Sequence, residues 1–111
     1  MTEQPKETVS FSNGLTPAET ERLALLAEEC GECIHIIGKI LRHGYDSYNP
    51  LSMDKNRPDN RELLTREVGD IYTAIYLMFQ ERDLQRPLVA RREDIKREHV
   101  NRYLHHNKVR P

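Results

Sequence analysis

Between Leu23 and Leu41 the apolar residues do not keep to one side of a helix. Advanced by about 100° per residue, Leu23, Leu26, Cys30, Cys33, Ile34, Ile37, Ile40 and Leu41 cover about 200° of the circumference. A surface helix needs roughly half that arc, so this one demands neighbours on two sides. A second segment, Asp59 to about Arg82, has a similarly wide arc in Leu63, Leu64, Val68, Ile71, Tyr72, Ile75, Met78 and Phe79. The third, about Leu88 to His105, offers a thin stripe of Leu88, Ile95, Val100, Tyr103 and Leu104, too little to cover both. The expected fold is all-α, a helical bundle whose four-helix arrangement is completed by further copies, as a homodimer or homotetramer.

The helix limits are written in the sequence. Thr16-Pro17-Ala18-Glu19 supplies a capping hydroxyl, a proline at the first helical position and a glutamate three residues after the cap. Gly44 is a natural stop after His43. Asp59 and Glu62 repeat the capping pattern at the second helix. Asp83 to Pro87 reads as a break, and residues 44–58, with Asn49-Pro50 and Arg57-Pro58, as a long polar loop of the kind that is more often functional or mobile than a mere connector. Residues 1–14 read as a flexible arm, and 15–111 as one domain.

Charge excludes several classes. With 17 basic and 18 acidic residues the net charge is −1, which gives no field for nucleic acid or a membrane surface. No transmembrane run or signal peptide is expected, and two cysteines make no disulfide framework. The expected compartment is the cytoplasm. Cys30 and Cys33 lie on the apolar arc and are expected as small buried hydrophobes.

Acids interrupt both arcs. Glu29 projects near Leu25, Ile36 and Ile40, and Glu32 lies at the edge of that patch. Glu67 falls among Ile71, Ala74 and Met78, and Asp70 between Leu63 and Leu77. Isolated pairs of this kind are usually solvated, but two within apolar arcs of successive helices are not explained that way. Like charges at low dielectric repel strongly, and a buried carboxylate costs several kcal/mol unless paired. A divalent cation relieves all four, and oxygen-only ligands select a hard ion such as magnesium. Glu28 shares its face with Glu21 and Lys39 and reads as a surface residue within reach of Glu32.

Glu28-Glu29-Cys30-Gly31-Glu32, followed by Glu67-Val68-Gly69-Asp70, resembles the E-E-x-x-E…E-x-x-D signature of MazG-like all-α NTP pyrophosphohydrolases. The likeness extends over roughly Leu23 to His106, and Lys96 to His106 is similar to small stand-alone, phage-type members. The gap between the acidic pairs is longer than in the compact family pattern. The resemblance implies that Glu29, Glu32, Glu67 and Asp70 ligate Mg²⁺, or Mn²⁺ in its place, with Glu28 or Glu29 serving the catalytic step. It implies hydrolysis of an NTP or dNTP, dGTP among the options, to the monophosphate and pyrophosphate, shaping the deoxynucleotide pool.

On the third helix Lys96 lies along the stripe between Val89 and Tyr103, with Arg92 and His99 close in angle, and a cation there would bind phosphate oxygens. Its alternative is a stem along the stripe with the ammonium in solvent. In the loop, His43, Tyr45, Tyr48, Asn49, Lys55 and Arg57 are candidates for contacting a base. Two rival classes stand beside the enzyme. One is a non-catalytic helical oligomer or adaptor with a structural cation. The other is a di-iron carboxylate protein, suggested by Glu32-x-x-His35 but lacking a second Glu-x-x-His.

Overall fold

The structure, a computed structural model, describes residues 11–110. The first ten residues of the expected arm lie outside them. Three helices follow in order: α1 Pro17–His43, α2 Asn60–Gln80 and α3 Arg86–Tyr103. None is long and apolar enough to cross a membrane.

The expected starts of α1 and α2 are met. The Glu19 amide donates to Thr16 Oγ1 at 3.1 Å and the Thr16 amide to Glu19 Oε1 at 2.9 Å, a reciprocal capping box. α1 ends at Gly44, whose φ of 87° suits a residue without a Cβ and whose amide donates to Ile40 O at 2.7 Å. Asp59 caps α2 by accepting the Glu62 amide at 2.9 Å.

The break after α2 differs from expectation in two ways. α2 stops at Gln80 with a Schellman closure: the Arg82 amide donates to Phe79 O and the Asp83 amide to Met78 O. Arg82 occupies the left-handed position usually given to glycine, at φ 63°. Pro87 then lies inside the first turn of α3 rather than before it, where its missing amide hydrogen removes no helical bond.

Contacts at both ends make α1 and α2 an antiparallel hairpin. At one end, Arg22 Nε and Nη2 donate to Asp83 Oδ2 and Oδ1 at 2.5 and 3.0 Å. At the other, Asn60 Nδ2 donates to Gly44 O at 3.1 Å. The loop between the helices folds back on α2, with the Asn60 and Arg61 amides donating to Ser47 O and Tyr45 O, each at 2.9 Å.

The hairpin core is small: Ile36 from α1, Ala74 and Met78 from α2. α3 packs along neither helix. It diverges from the end of α2, leaving an open cleft lined by Tyr72, Ile75, Phe79 and Val89. Within one chain the wide apolar arc of α1 is therefore only partly covered, with Ile34 69% and Leu41 83% exposed. Cys30 is exposed and Cys33 half-buried, so the expectation of two buried cysteines is not met in one chain.

Candidate metal centre

The antiparallel hairpin sets the middle of α1 against the middle of α2. There Glu29, Glu32 and Glu67 each offer a carboxylate oxygen, all within 4.8 Å of one another. Glu29 and Glu67 are half-buried and Glu32 is exposed. One turn separates Glu29 from Glu32 on α1, so both reach the same point on α2.

The cluster is electrostatically unresolved. Glu29 Oε2 and Glu67 Oε2 are out of contact with solvent and have no hydrogen-bond partner. Burial raises the Glu29 pKa, helped by the charges of Glu32, Asp70 and Glu28. Glu67 is pushed up to about 7, first by burial, then by its hydrogen bond with Glu32 and the charges of Glu32, Asp70 and Glu29. Among the described residues no lysine, arginine or histidine forms an ion pair with any of these acids.

Those orphaned oxygens are what a hard divalent cation takes. Oxygens around magnesium stand at about 2.1 Å from the ion and hence at most about 4.2 Å apart. The observed spread of up to 4.8 Å exceeds that spacing by only about 0.6 Å. The residues present therefore fit such an ion.

Asp70 stands outside the three-carboxylate cluster, exposed, but close enough that its charge raises both Glu29 and Glu67. Glu28 is exposed, as its helical angle predicts, and its charge acts on Glu29. Lys96, Arg92, His99 and Tyr103 all lie on α3, which packs along neither acid-bearing helix. The Lys96 ammonium sits 5.4 Å from the centre of the Tyr103 ring. Lys55 and Arg57 are exposed in the loop and are not brought to the acids.

Sequence reasoning missed a second feature of the hairpin. At its loop end a cavity of about 340 Å³ is lined by Lys39, Arg42, His43, Ser47, Tyr48, Asn49, Asn60 and Leu63. His43, Tyr48 and Asn49 were expected to meet a ligand; Lys39, Arg42, Ser47 and Asn60 were not. A signal existed for Lys39, seven residues after Glu32 and therefore on nearly the same face of α1. Nothing in the sequence pointed to Asn60, which enters the wall because its amide holds Gly44 O. The chain matches no protein-family model, no curated protein and no solved structure, so the reading of this site rests on its own geometry.

Proposed function

We propose that the protein is a magnesium-dependent nucleoside triphosphate pyrophosphohydrolase of the MazG-like kind, converting an NTP or dNTP to the monophosphate and pyrophosphate. The observation that carries this reading is the convergence of Glu29, Glu32 and Glu67 with two orphaned, solvent-excluded oxygens. Glu29, Glu32 and Glu67 would hold Mg²⁺, with Mn²⁺ as a substitute, and Asp70 would join them by a rotamer change. When bound, the ion neutralises the triphosphate and lowers the pKa of a coordinated water. Glu28, exposed and with its charge acting on Glu29, would accept a proton from an attacking water or orient Glu29. A role in the deoxynucleotide pool, dGTP included, rests on the family likeness.

The active form is proposed to be a homo-oligomer. A compact chain of this length has a radius of gyration of about 13 Å, whereas this one has 21.1 Å. A compact monomer of 13.1 kDa exposes about 6,400 Å², against 10070 Å² here. Ile34 and Leu41 on α1 and Leu88 on α3, all more than half exposed, supply the apolar surface for a second copy.

The test is a panel of the eight common NTPs and dNTPs with magnesium, scored for monophosphate and pyrophosphate. Turnover of at least one, abolished by chelation, is expected. No turnover of any, with the metal bound, would leave a non-catalytic helical module with a structural cation.

A further inference from the structure

We propose that the cavity at the loop end of the hairpin is a pyrophosphate subsite, in which Lys39, Arg42 and His43 hold the departing half of a nucleoside triphosphate. The assignment rests on the hydrolase reading above and adds to it where the leaving group goes.

Position comes first. Lys39 follows Glu32 by seven residues, about 10 Å along the helix axis and nearly on the same face. Lys39 thus stands in the cavity wall on the side of α1 that also carries Glu32. On α2, Leu63 and Asn60 precede Glu67 by four and seven residues, one and two turns away. Both helices thus lead from the carboxylate cluster into the cavity. Arg42 folds back along α1: its Nη1 lies 3.9 Å from where a Cβ on Gly38 would stand.

The charge of the wall points to an anion. Among the described residues Lys39, Arg42 and His43 are not ion-paired. Arg42 and His43 also complement the dipole at the end of α1, but that end carries only about half a negative charge. Dipole compensation does not call for Lys39, nor for a cavity among the three. The first amides of α2 are already taken. Asn60 donates to Ser47 O, Arg61 to Tyr45 O and Glu62 to Asp59 Oδ1. The N-terminus of α2 therefore offers an anion no free amide from these three residues, and the cationic side chains carry the assignment. Tyr48 and Ser47 add hydroxyls to the wall.

The chemistry balances. A water oxygen forms a bond to the α-phosphorus while the bond from that phosphorus to the α–β bridging oxygen breaks. The bonding pair stays on the bridging oxygen, which leaves as part of pyrophosphate, and a water proton passes to a base. Negative charge grows on the departing side, where fixed cations stabilise it.

Titration calorimetry of inorganic pyrophosphate into the metal-free protein tests the assignment, alongside Lys39→Ala/Arg42→Ala and the charge-preserving Lys39→Arg. The double variant is expected to bind pyrophosphate at least about tenfold more weakly, as the loss of two charge-assisted contacts implies. Lys39→Arg, which keeps the charge but not the geometry of the ammonium, is expected to bind pyrophosphate more tightly than the double variant. In the active enzyme, product inhibition by pyrophosphate should weaken in parallel in the double variant, with inhibition by the monophosphate unchanged. Circular dichroism checks that the variants remain folded. Equal affinity of parent and double variant, or no pyrophosphate binding by the parent, overturns the proposal. So does a double variant that changes base preference while binding pyrophosphate normally, which would assign the cavity to the base. Hydrolysis without dependence on these cations removes the subsite and leaves the hydrolase reading. Cation-dependent pyrophosphate binding without hydrolysis of any triphosphate does the reverse.

Discussion

The α1–α2 hairpin and α3 are helical to a similar degree but are stabilised differently. In the hairpin, Ile36, Ala74 and Met78 are withdrawn from water and Arg22 clamps Asp83 across its open end. α3 buries no residue, and its Leu88, Ile95 and Tyr103 are exposed. What supports α3 locally are pairs such as Glu98–Arg102 at 2.8 Å and Glu93–Arg97 at 3.9 Å. Each is worth about 0.2–0.5 kcal/mol, and a helix of this length in water is marginal without an apolar face to bury. The difference teaches that the hairpin carries its core and its acids within one chain, while α3 buries none of its residues there.

The largest expected effect tests the hairpin side of that contrast. Glu29→Gln, Glu32→Gln and Glu67→Gln are each expected to lower magnesium-dependent turnover on the order of 100-fold or more while the protein remains folded. Asp70→Asn is expected to act in the same direction. Near-normal turnover at saturating magnesium in two of the four would remove the metal-site assignment.

The second effect tests α3. Light scattering at low micromolar concentration should give at least twice the 13.1 kDa chain mass, with unfolding that depends on protein concentration. Ile95→Glu, placing a charge on the α3 stripe, should shift the population towards monomer. A monodisperse active monomer would show that α3 needs no partner and would end the contrast.

A pH effect comes third. Glu67 titrates at about 7 in the folded, metal-free protein, against an ordinary value of 4.5. Between these values the folded state holds a proton that the unfolded state has lost, so this residue's contribution to stability falls as pH rises and levels off above 7. Thermal melts of the metal-free protein should therefore show a steeper decline across that window than Glu67→Gln does. Metal affinity should climb over the same range, because the proton must leave before the ion binds. Parallel melting profiles for parent and variant would contradict the shift.

The smallest effect is the sharpest probe of the boundary between the two regions. Because the Lys96 ammonium sits by Tyr103 on a helix apart from the acids, Lys96→Ala should change KM by less than about threefold. A tenfold rise would mean that α3 of a second copy reaches the acid cluster.

Much of this was legible from one dimension. Capping at Thr16 and Asp59 is local chemistry between residues three apart, and so appears in the sequence as spacing. The acid pairs were legible for the same reason: helical periodicity puts Glu29 and Glu32, or Glu67 and Asp70, on neighbouring angles before any packing occurs. The end of α2 was less legible, because Arg82 takes a left-handed conformation that glycine would have announced. The cysteines were misjudged because an apolar arc states which face seeks cover, and not whether the same chain covers it.

By itself, then, the sequence determined three helices, the N-caps of α1 and α2 and the spacing of the acid pairs, all properties of spacing within a helix. Only the tertiary structure decided which acids converge, that Lys39, Arg42 and His43 wall a cavity at the loop end of the hairpin, and that α3 packs along neither helix. The physical reason is range. Caps and faces depend on neighbours within a turn, whereas the cluster and the cavity depend on the register of two antiparallel helices. That register is set by contacts as distant as Arg22 with Asp83 and Gly44 with Asn60, which no periodicity encodes.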